Sequence, residues 1–158
     1  MRAEDEFHRM IVLPTNARWI VCERSGLWTA ALRWAGDAHA GLWVEVRSIA
    51  QLREALPSWP ASFVFLEATV ANSEDVLQFL WAATRDFPHS RTAVVSTREC
   101  DAWLELFREA GAVDASVTPR RTDRLVHLAR RHLDRVVPPP QSPRQRIWQR
   151  LPWPEASG

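Results

Sequence analysis

Short apolar stretches alternate with stretches of helical periodicity along this chain, and this alternation restricts the fold more than any other feature. Strands are predicted at 18–22, 41–47, 62–67, 91–96 and 112–117. Helices are predicted between and after them, at 25–36, 48–56, 72–87, 96–112 and 120–135. Strands that alternate with helices of this length predict a parallel sheet with helices on both faces.

The strands themselves are nearly continuous apolar runs, which is typical of strands buried on both faces. Right-handed crossovers then follow from strand twist. We therefore expect an α/β fold, a flavodoxin-like (βα)5 doubly wound sheet with strand order 2-1-3-4-5.

Local signals predict where several helices begin and end and which side they bury. In the first helix, Leu27, Ala31 and Trp34 have helical spacing and predict its apolar face. Asn72 or Ser73 is predicted to cap the third helix. The spacing of Ser96 and Glu99 predicts a capping box for the fourth. Gly111 is predicted to end that helix.

The length and charge of the chain indicate one domain without a strongly charged partner. The chain has 158 residues, 46% of them apolar, and a formal net charge of +1. No apolar stretch approaches the roughly 20 residues of a membrane span. Cys22 and Cys100 are not at metal-ligand spacing, so we expect reduced thiols in a cytoplasmic protein.

Composition divides the chain into a predicted domain and two flanking segments. Residues 1–17 have mixed charge and are expected to form a flexible N-terminal extension. Residues 18–135 carry the βα pattern, and residues 136–158 form a Pro-, Arg- and Trp-rich C-terminal tail that we expect to be extended.

The stretch SFVFLEAT, residues 62–69, places one acid, Glu67, at the carboxyl end of the predicted third strand. Ligands of open α/β sheets bind at the carboxyl ends of the strands, near the point where strand order reverses. Glu67 is therefore a candidate site residue by position alone.

Four stretches of residues 18–135 together resemble a response-regulator receiver domain: RWIVCER, SFVFLEAT, AVVST and REAGAVDASVTP. In receivers, the corresponding segments end in two metal-binding acids, the phosphorylated Asp, a hydroxyl residue and a Lys-Pro pair. The resemblance implies a phosphorylation pocket at these positions: Glu23 with Arg24, Glu67, Ser96 and Thr118.

The departures from the receiver pattern predict a degenerate pocket. Glu67 is one methylene longer than Asp, and a misplacement of about 1 Å can cost ~10²-fold in rate. Arg24 places a cation where a ligand of Mg²⁺ is expected, and Thr118 lacks the ammonium of Lys. We therefore expect a phosphate-independent pseudo-receiver that acts as a non-catalytic protein-interaction module in signalling.

Two further interpretations of the pocket remain open from the sequence. Glu67 could mimic the phosphorylated state, accepting a hydrogen bond from Ser96 and paired with Arg24, or it could be a drifted residue without a role. An atypical receiver that does accept phosphate is the alternative function.

The predicted fifth helix has a strongly basic side, which includes Arg120, Arg121, Arg124 and Arg131. In receivers, the surface of helix four, strand five and helix five commonly mediates dimerisation or output. We expect an unidentified partner protein, or a second copy of the chain, to bind there. A basic adaptor for nucleic acid or anionic membrane is an alternative that the balanced net charge disfavours.

The tail carries a candidate docking segment at residues 144–153. It combines cationic and large apolar side chains, the residue types that dominate binding hot spots: Arg146, Ile147, Trp148, Leu151 and Trp153. We expect this segment to bind a partner protein, to fold back on its own domain, or to adsorb to anionic lipid.

Enzymatic chemistry is not indicated by any motif. The chain lacks GxGxxG, a P-loop and GxSxG, and no two of its histidines are spaced as an i, i+4 metal pair. We expect no cofactor, no bound metal and no catalytic residue.

Overall fold

A computed structural model describes residues 16–36, 42–136, 143, 144 and 147, and the docking-segment residues Arg146, Trp148, Leu151 and Trp153 lie outside these ranges. The strands are β1 Trp19–Cys22, β2 Trp43–Val46, β3 Phe63–Ala68, β4 Arg91–Ser96 and β5 Asp114–Ser116. The α-helices are α1 Leu27–Ala35, α2 Ile49–Ala55, α3 Ser73–Asp86, α4 Leu104–Glu109 and α5 Thr122–Leu133.

The five strands form one parallel sheet in the order β2-β1-β3-β4-β5, which confirms the predicted topology. In the register, Cys22 pairs with Leu66, and Glu67 pairs with Val95. The carboxyl ends of β1 and β3 are therefore neighbours at one edge of the sheet.

Side chains that alternate along the strands build two separate cores. Ile20, Val64 and Val94 point to the face covered by α2, α3 and α4. Trp19, Phe65 and Val95 point to the other face, which α1 and α5 cover. Burial on both faces explains why the strand sequences are almost wholly apolar.

The packed domain includes residues just before β1. Ala17 is fully buried, and the carbonyl of Asn16 accepts a hydrogen bond from the Ala61 amide at 3.0 Å. These two residues fall within the sequence range expected to be a flexible extension.

The predicted apolar face of α1 is wrong. The residues it buries are Trp28, Thr29 and Leu32, whereas Leu27 is 56% exposed and Trp34 is 90% exposed. Two apolar faces with helical spacing exist on this short helix, and contact with β1 and β3 selects the one that contains Trp28.

The capping box predicted at Ser96 and Glu99 is also wrong. Ser96 is the last residue of β4, and a 3₁₀ helix, Arg98–Trp103, precedes α4. Thr97 occupies the N-cap position without a side-chain cap hydrogen bond. Gly111 ends this helical region as predicted, with φ +115°, a conformation that glycine adopts readily.

Candidate functional site

The loops after β1, β2 and β3 surround an open cleft of about 580 Å³ at the carboxyl edge of the sheet. Of the predicted pocket residues, Glu23, Arg24 and Glu67 line it. Arg47 of the β2–α2 loop and Asp75 of α3 line it too, and neither was predicted. The cleft thus mixes carboxylates and guanidinium groups.

Glu67 is half-buried at the end of β3, and its carboxylate contacts the loop after β1. Its Oε2 accepts a hydrogen bond from the backbone N–H of Arg24 at 3.0 Å. The predicted contact between Glu67 and Arg24 is therefore made by the main chain of Arg24 and not by its guanidinium group.

Glu23 is 3% exposed, and both of its carboxylate oxygens are used to hold the first turn of α1. Oε2 accepts from the Trp28 amide at 2.9 Å, and Oε1 accepts from the Thr29 amide at 2.5 Å. The Ser25 hydroxyl also donates to Oε2 at 3.3 Å. A carboxylate at a helix N-terminus satisfies free amides and interacts favourably with the helix dipole.

Glycine at the start of α1 makes this arrangement possible. Gly26 has φ +80° at the N-cap position and carries no side chain that could cap the helix. The chain therefore turns sharply after Glu23, and the acid from the end of β1 supplies the missing acceptor.

Arg47 joins the β1 and β2 loops along one side of the cleft. Its Nη1 donates to the carbonyl oxygens of Glu23 at 3.5 Å and Arg24 at 3.3 Å, and its amide donates to Gln51 Oε1 at 2.8 Å. Its Nη2 lies 3.8 Å from Glu45 Oε2. Nothing in the βα pattern separates Arg47 from other arginines that follow strands, so the sequence did not predict its place in the cleft.

Asn72 orders the loop after β3. Its Nδ2 donates to the Glu67 carbonyl at 3.1 Å, and its Oδ1 accepts from the Thr69 amide at 2.6 Å. Asn72 is the N-cap of α3, as one of the two predicted alternatives, but its side chain makes no cap hydrogen bond to that helix. It holds the backbone of Glu67 instead.

Ser96 and Thr118 are not part of the cleft lining. Ser96 Oγ is buried, has no hydrogen-bond partner and therefore does not donate to Glu67, so that predicted contact is wrong. Thr118 Oγ1 accepts from the Arg120 amide at 3.3 Å and caps the 3₁₀ turn Pro119–Arg121. Of the five residues predicted to share a pocket, the cleft brings together three.

Burial and a nearby charge both change the pKa of the Cys22 thiol at the end of β1. Burial, with a smaller contribution from the nearby Glu67 carboxylate, raises the pKa of Cys22 from its ordinary value of 9.0 to about 12. Cys22 is therefore a neutral core residue at physiological pH.

The basic side chains predicted on helix five lie on the surface. Arg120, Arg121, Arg124 and Arg131 are all exposed. Arg124 Nε lies 3.2 Å from Oδ2 of Asp114, a carboxylate that is 9% exposed at the start of β5. One of the four arginines therefore also ties α5 to the edge of the sheet.

The described ranges offer neither a metal-binding cluster nor a membrane-spanning helix. No group of three or more His, Cys, Asp or Glu side chains there is arranged to hold a metal ion. No helix within them is long and apolar enough to cross a bilayer.

Comparison with known proteins supports the fold. No family model and no curated protein matches the chain. Among solved structures, a response regulator from Thermotoga maritima is 21% identical, with a TM-score of 0.63 over 76% of this chain and 98% of that one. A CheY-like protein (tadZ) from Pseudomonas aeruginosa is 18% identical, with a TM-score of 0.61 over 74% and 99%.

An orphan response regulator of H. pylori is 15% identical, with a TM-score of 0.59 over 75% of this chain and 98% of that chain. Identities in this range show a shared fold. The chain therefore has the receiver-domain fold that the sequence resemblance implied.

Proposed function

We propose that this protein is a pseudo-receiver, a non-catalytic and phosphate-independent interaction module in cytoplasmic signalling. The observation that carries the proposal is the hydrogen bond from the Arg24 amide to Glu67 Oε2 at 3.0 Å. A receiver switches when its acceptor carboxylate gains a phosphoryl group, and here the carboxylate is longer and already bound to the neighbouring loop.

The use of Glu23 supports the same proposal. Mg²⁺ needs oxygen ligands in near-octahedral geometry, and a receiver supplies them from the acids after its first strand. Both oxygens of Glu23 accept amides of α1, and Arg24 follows with a cation. Removing Glu23 from the helix to bind a metal would leave those buried amides without an acceptor. These residues do not fit a Mg²⁺ site.

Ser96 and Thr118 add further support. In a phosphorylated receiver, a hydroxyl and a lysine contact the phosphoryl oxygens. The Ser96 hydroxyl is buried without a partner, and Thr118 carries no charge and caps a 3₁₀ turn. Neither residue lines the cleft that contains Glu67.

The proposed partner is another protein that binds the surface formed by α4, β5 and α5. On this surface α4 exposes the apolar Leu106, and α5 exposes its arginines. A surface that offers exposed arginines and an apolar side chain suits a protein with an acidic docking surface. A homodimer through the same surface, and a second contact through residues 144–153, are part of this proposal.

Phosphate independence is tested by measuring phosphoryl transfer and analogue binding in the full chain. Intact mass spectrometry after incubation with acetyl phosphate and Mg²⁺ is expected to show no phosphorylated species. Tryptophan fluorescence is expected to stay constant during titration with Mg²⁺ and then beryllofluoride. The Glu67→Ala variant is the control for any signal. A saturable response that Glu67→Ala abolishes would overturn the proposal.

The interaction surface is tested by charge reversal. Arg120→Glu combined with Arg131→Glu is expected to abolish both the homodimer and the complex with a candidate partner. Sedimentation of the chain alone and of the mixture measures the two associations. The matched control is Arg53→Glu with Arg85→Glu, on helices of the opposite face of the sheet. Equal loss in both variants would argue against a specific α4–β5–α5 surface.

A further inference from the structure

Helix α1 presents a second apolar face to solvent, opposite to the face that packs on the sheet. Leu27 is 56% exposed and Trp34 is 90% exposed, and they lie about two turns, or roughly 10 Å, apart. Ala30, exposed, and Ala31, half-buried, lie between them. We call these four residues the α1 stripe. It has large apolar side chains at both ends and a shallow centre.

The exposure of Trp34 distinguishes this stripe from ordinary surface apolar residues. Trp28, six positions earlier on the same helix, is 1% exposed. Helix α5 packs beside α1 on the same face of the sheet, yet Trp34 stays uncovered within the described ranges. A large exposed apolar side chain that shares a helix face with other apolar residues is typical of a contact surface.

The chain that follows α5 starts beside the Trp34 end of the stripe. Helices of βα units run antiparallel to the strands, so α1 and α5 both end at the edge where the strands begin. His132, near the end of α5, lies 2.7 Å from the Ala61 carbonyl just before β3. Gly36, just after α1, approaches the rings of Trp19 and Trp43, which begin β1 and β2.

The chain after Val136 is long enough to reach the whole stripe. Residues 137–142 are Pro-rich, and six residues of Pro-rich chain can span roughly 19 Å when extended, nearly twice the length of the stripe. Residues 143, 144 and 147 are helical, and Ile147 is 61% exposed. Ile147 and Leu151 are spaced to share one side of a helix, with Trp148 beside them.

The small size of the stripe favours a tethered occupant over a second copy of the protein. Leu27 and Trp34 expose on the order of 300 Å² of apolar surface, whereas a stable interface buries about 800 Å² on each partner. A segment on a short linker has an effective concentration in the millimolar range and needs much less contact.

We infer that residues 144–153 dock on the α1 stripe of the same molecule, with Ile147, Trp148 and Leu151 against Leu27 and Trp34. The mode is a short amphipathic helix laid along an apolar helix face. The inference does not depend on whether Glu67 accepts phosphate. A partner protein that binds residues 144–153 has to compete with the stripe.

Paramagnetic relaxation in the full chain tests this docking. A nitroxide label is placed at Gln149→Cys, and Cys22 and Cys100 are not labelled because both are buried. We expect loss of amide peak intensity in Leu27–Ala35, relative to the reduced label, that does not change on dilution. Trp34→Ala is expected to abolish the loss. Trp81→Ala, which removes another exposed tryptophan on α3, is expected to preserve it.

Three results would overturn the inference. The first is no intensity loss at α1, and the second is loss centred on another surface, such as α4–β5–α5. The third comes from mixing spin-labelled protein without ¹⁵N with ¹⁵N protein without the label. Loss at α1 that appears equally in this mixture would assign the stripe to a second copy.

Discussion

Glu67 Oε2 lies 3.0 Å from the backbone nitrogen of Arg24, and this contact joins the end of β3 to the loop after β1. Glu67 lies in β3 and Arg24 follows the neighbouring strand β1, and the register of these two strands brings Cys22 opposite Leu66. The geometry therefore comes from strand pairing and does not require the Arg24 side chain.

The Glu67 contact predicts a difference between two substitutions. Glu67→Ala removes the acceptor and is expected to lower the free energy of unfolding by about 1 kcal/mol. Glu67→Gln keeps an oxygen at the same position and is expected to cost less than half of that. Urea denaturation followed by far-UV circular dichroism measures both. Equal losses would show that the charge matters and the hydrogen bond does not.

Capping of α1 by Glu23 predicts a larger loss. Glu23→Ala leaves the amides of Trp28 and Thr29 without acceptors, and a loss of about 2 kcal/mol in the free energy of unfolding is expected. The control is Glu105→Ala, whose carboxylate is 80% exposed in an ion pair with Arg108 and is expected to contribute little. Similar urea midpoints for both variants would contradict a capping role.

Helix α1 buries the face that contains Trp28 and exposes Trp34, so substitution of the two tryptophans is expected to change stability to different extents. Trp28→Ala opens a cavity in the core between α1, α5 and the sheet, and a loss of about 3–5 kcal/mol is expected. Trp34→Ala removes an exposed side chain and is expected to cost about 1 kcal/mol or less. Thermal and urea denaturation of the two variants compare them directly. A larger loss for Trp34→Ala would restore the face predicted from the sequence.

The α1 helix also shows why the sequence predicts the fold better than the site. The alternation of short apolar runs with helical stretches predicts five strands, and the order 2-1-3-4-5 is one of the common orders of doubly wound sheets. The choice between Leu27 and Trp28 as core residues depends on where β1 and β3 lie, because both faces of the helix have the right period. Tertiary contact decides such cases.

Part of the site was predictable, because the carboxyl ends of neighbouring parallel strands meet at one edge of the sheet. Strand ends place Glu23, Arg24 and Glu67 at one edge of the sheet, and the structure brings them together. The use of Glu23 as a cap depends on the sharp turn at Gly26, and an acid shortly before a glycine and a helix is a signal that could have predicted it. The isolation of Ser96 follows from the register, which the sequence does not specify: Glu67 pairs with Val95 and Ser96 with Ala68, so the two side chains point to opposite faces of the sheet.

The buried thiol of Cys22 predicts a loss of stability at alkaline pH. Its pKa is about 12 in the folded protein, while the unfolded thiol titrates near 9.0. Between these values the unfolded state has lost the proton and the folded state keeps it, so stability falls as pH rises, by at most ~1.4 kcal/mol per pH unit. Urea denaturation from pH 8 to 10.5 measures the slope.

Two variants isolate the contribution of Cys22 to that slope. Burial also raises the pKa of Cys100, so Cys22→Ala is expected to reduce the alkaline slope without removing it. Glu67→Gln removes a negative charge that raises the Cys22 pKa and is expected to reduce the slope by a smaller amount. An unchanged slope in Cys22→Ala would mean that other groups cause the pH dependence.

The partly buried imidazole of His132 is expected to make the protein less stable as the pH falls below 6.5. Burial lowers the pKa of its imidazole below the ordinary 6.5, against the opposing effect of the hydrogen bond that Nε2–H donates to the Ala61 carbonyl. The unfolded state therefore binds a proton at a higher pH than the folded state does. Stability is full above pH 6.5 and falls as pH is lowered toward the folded pKa, by at most ~1.4 kcal/mol per pH unit.

Glutamine can keep a donor near the Ala61 carbonyl without titrating, so the free energy of unfolding of His132→Gln is expected to depend less on pH between pH 7 and 5. Urea denaturation measures this dependence. Parallel curves for the two proteins would show that protonation of His132 is not coupled to unfolding.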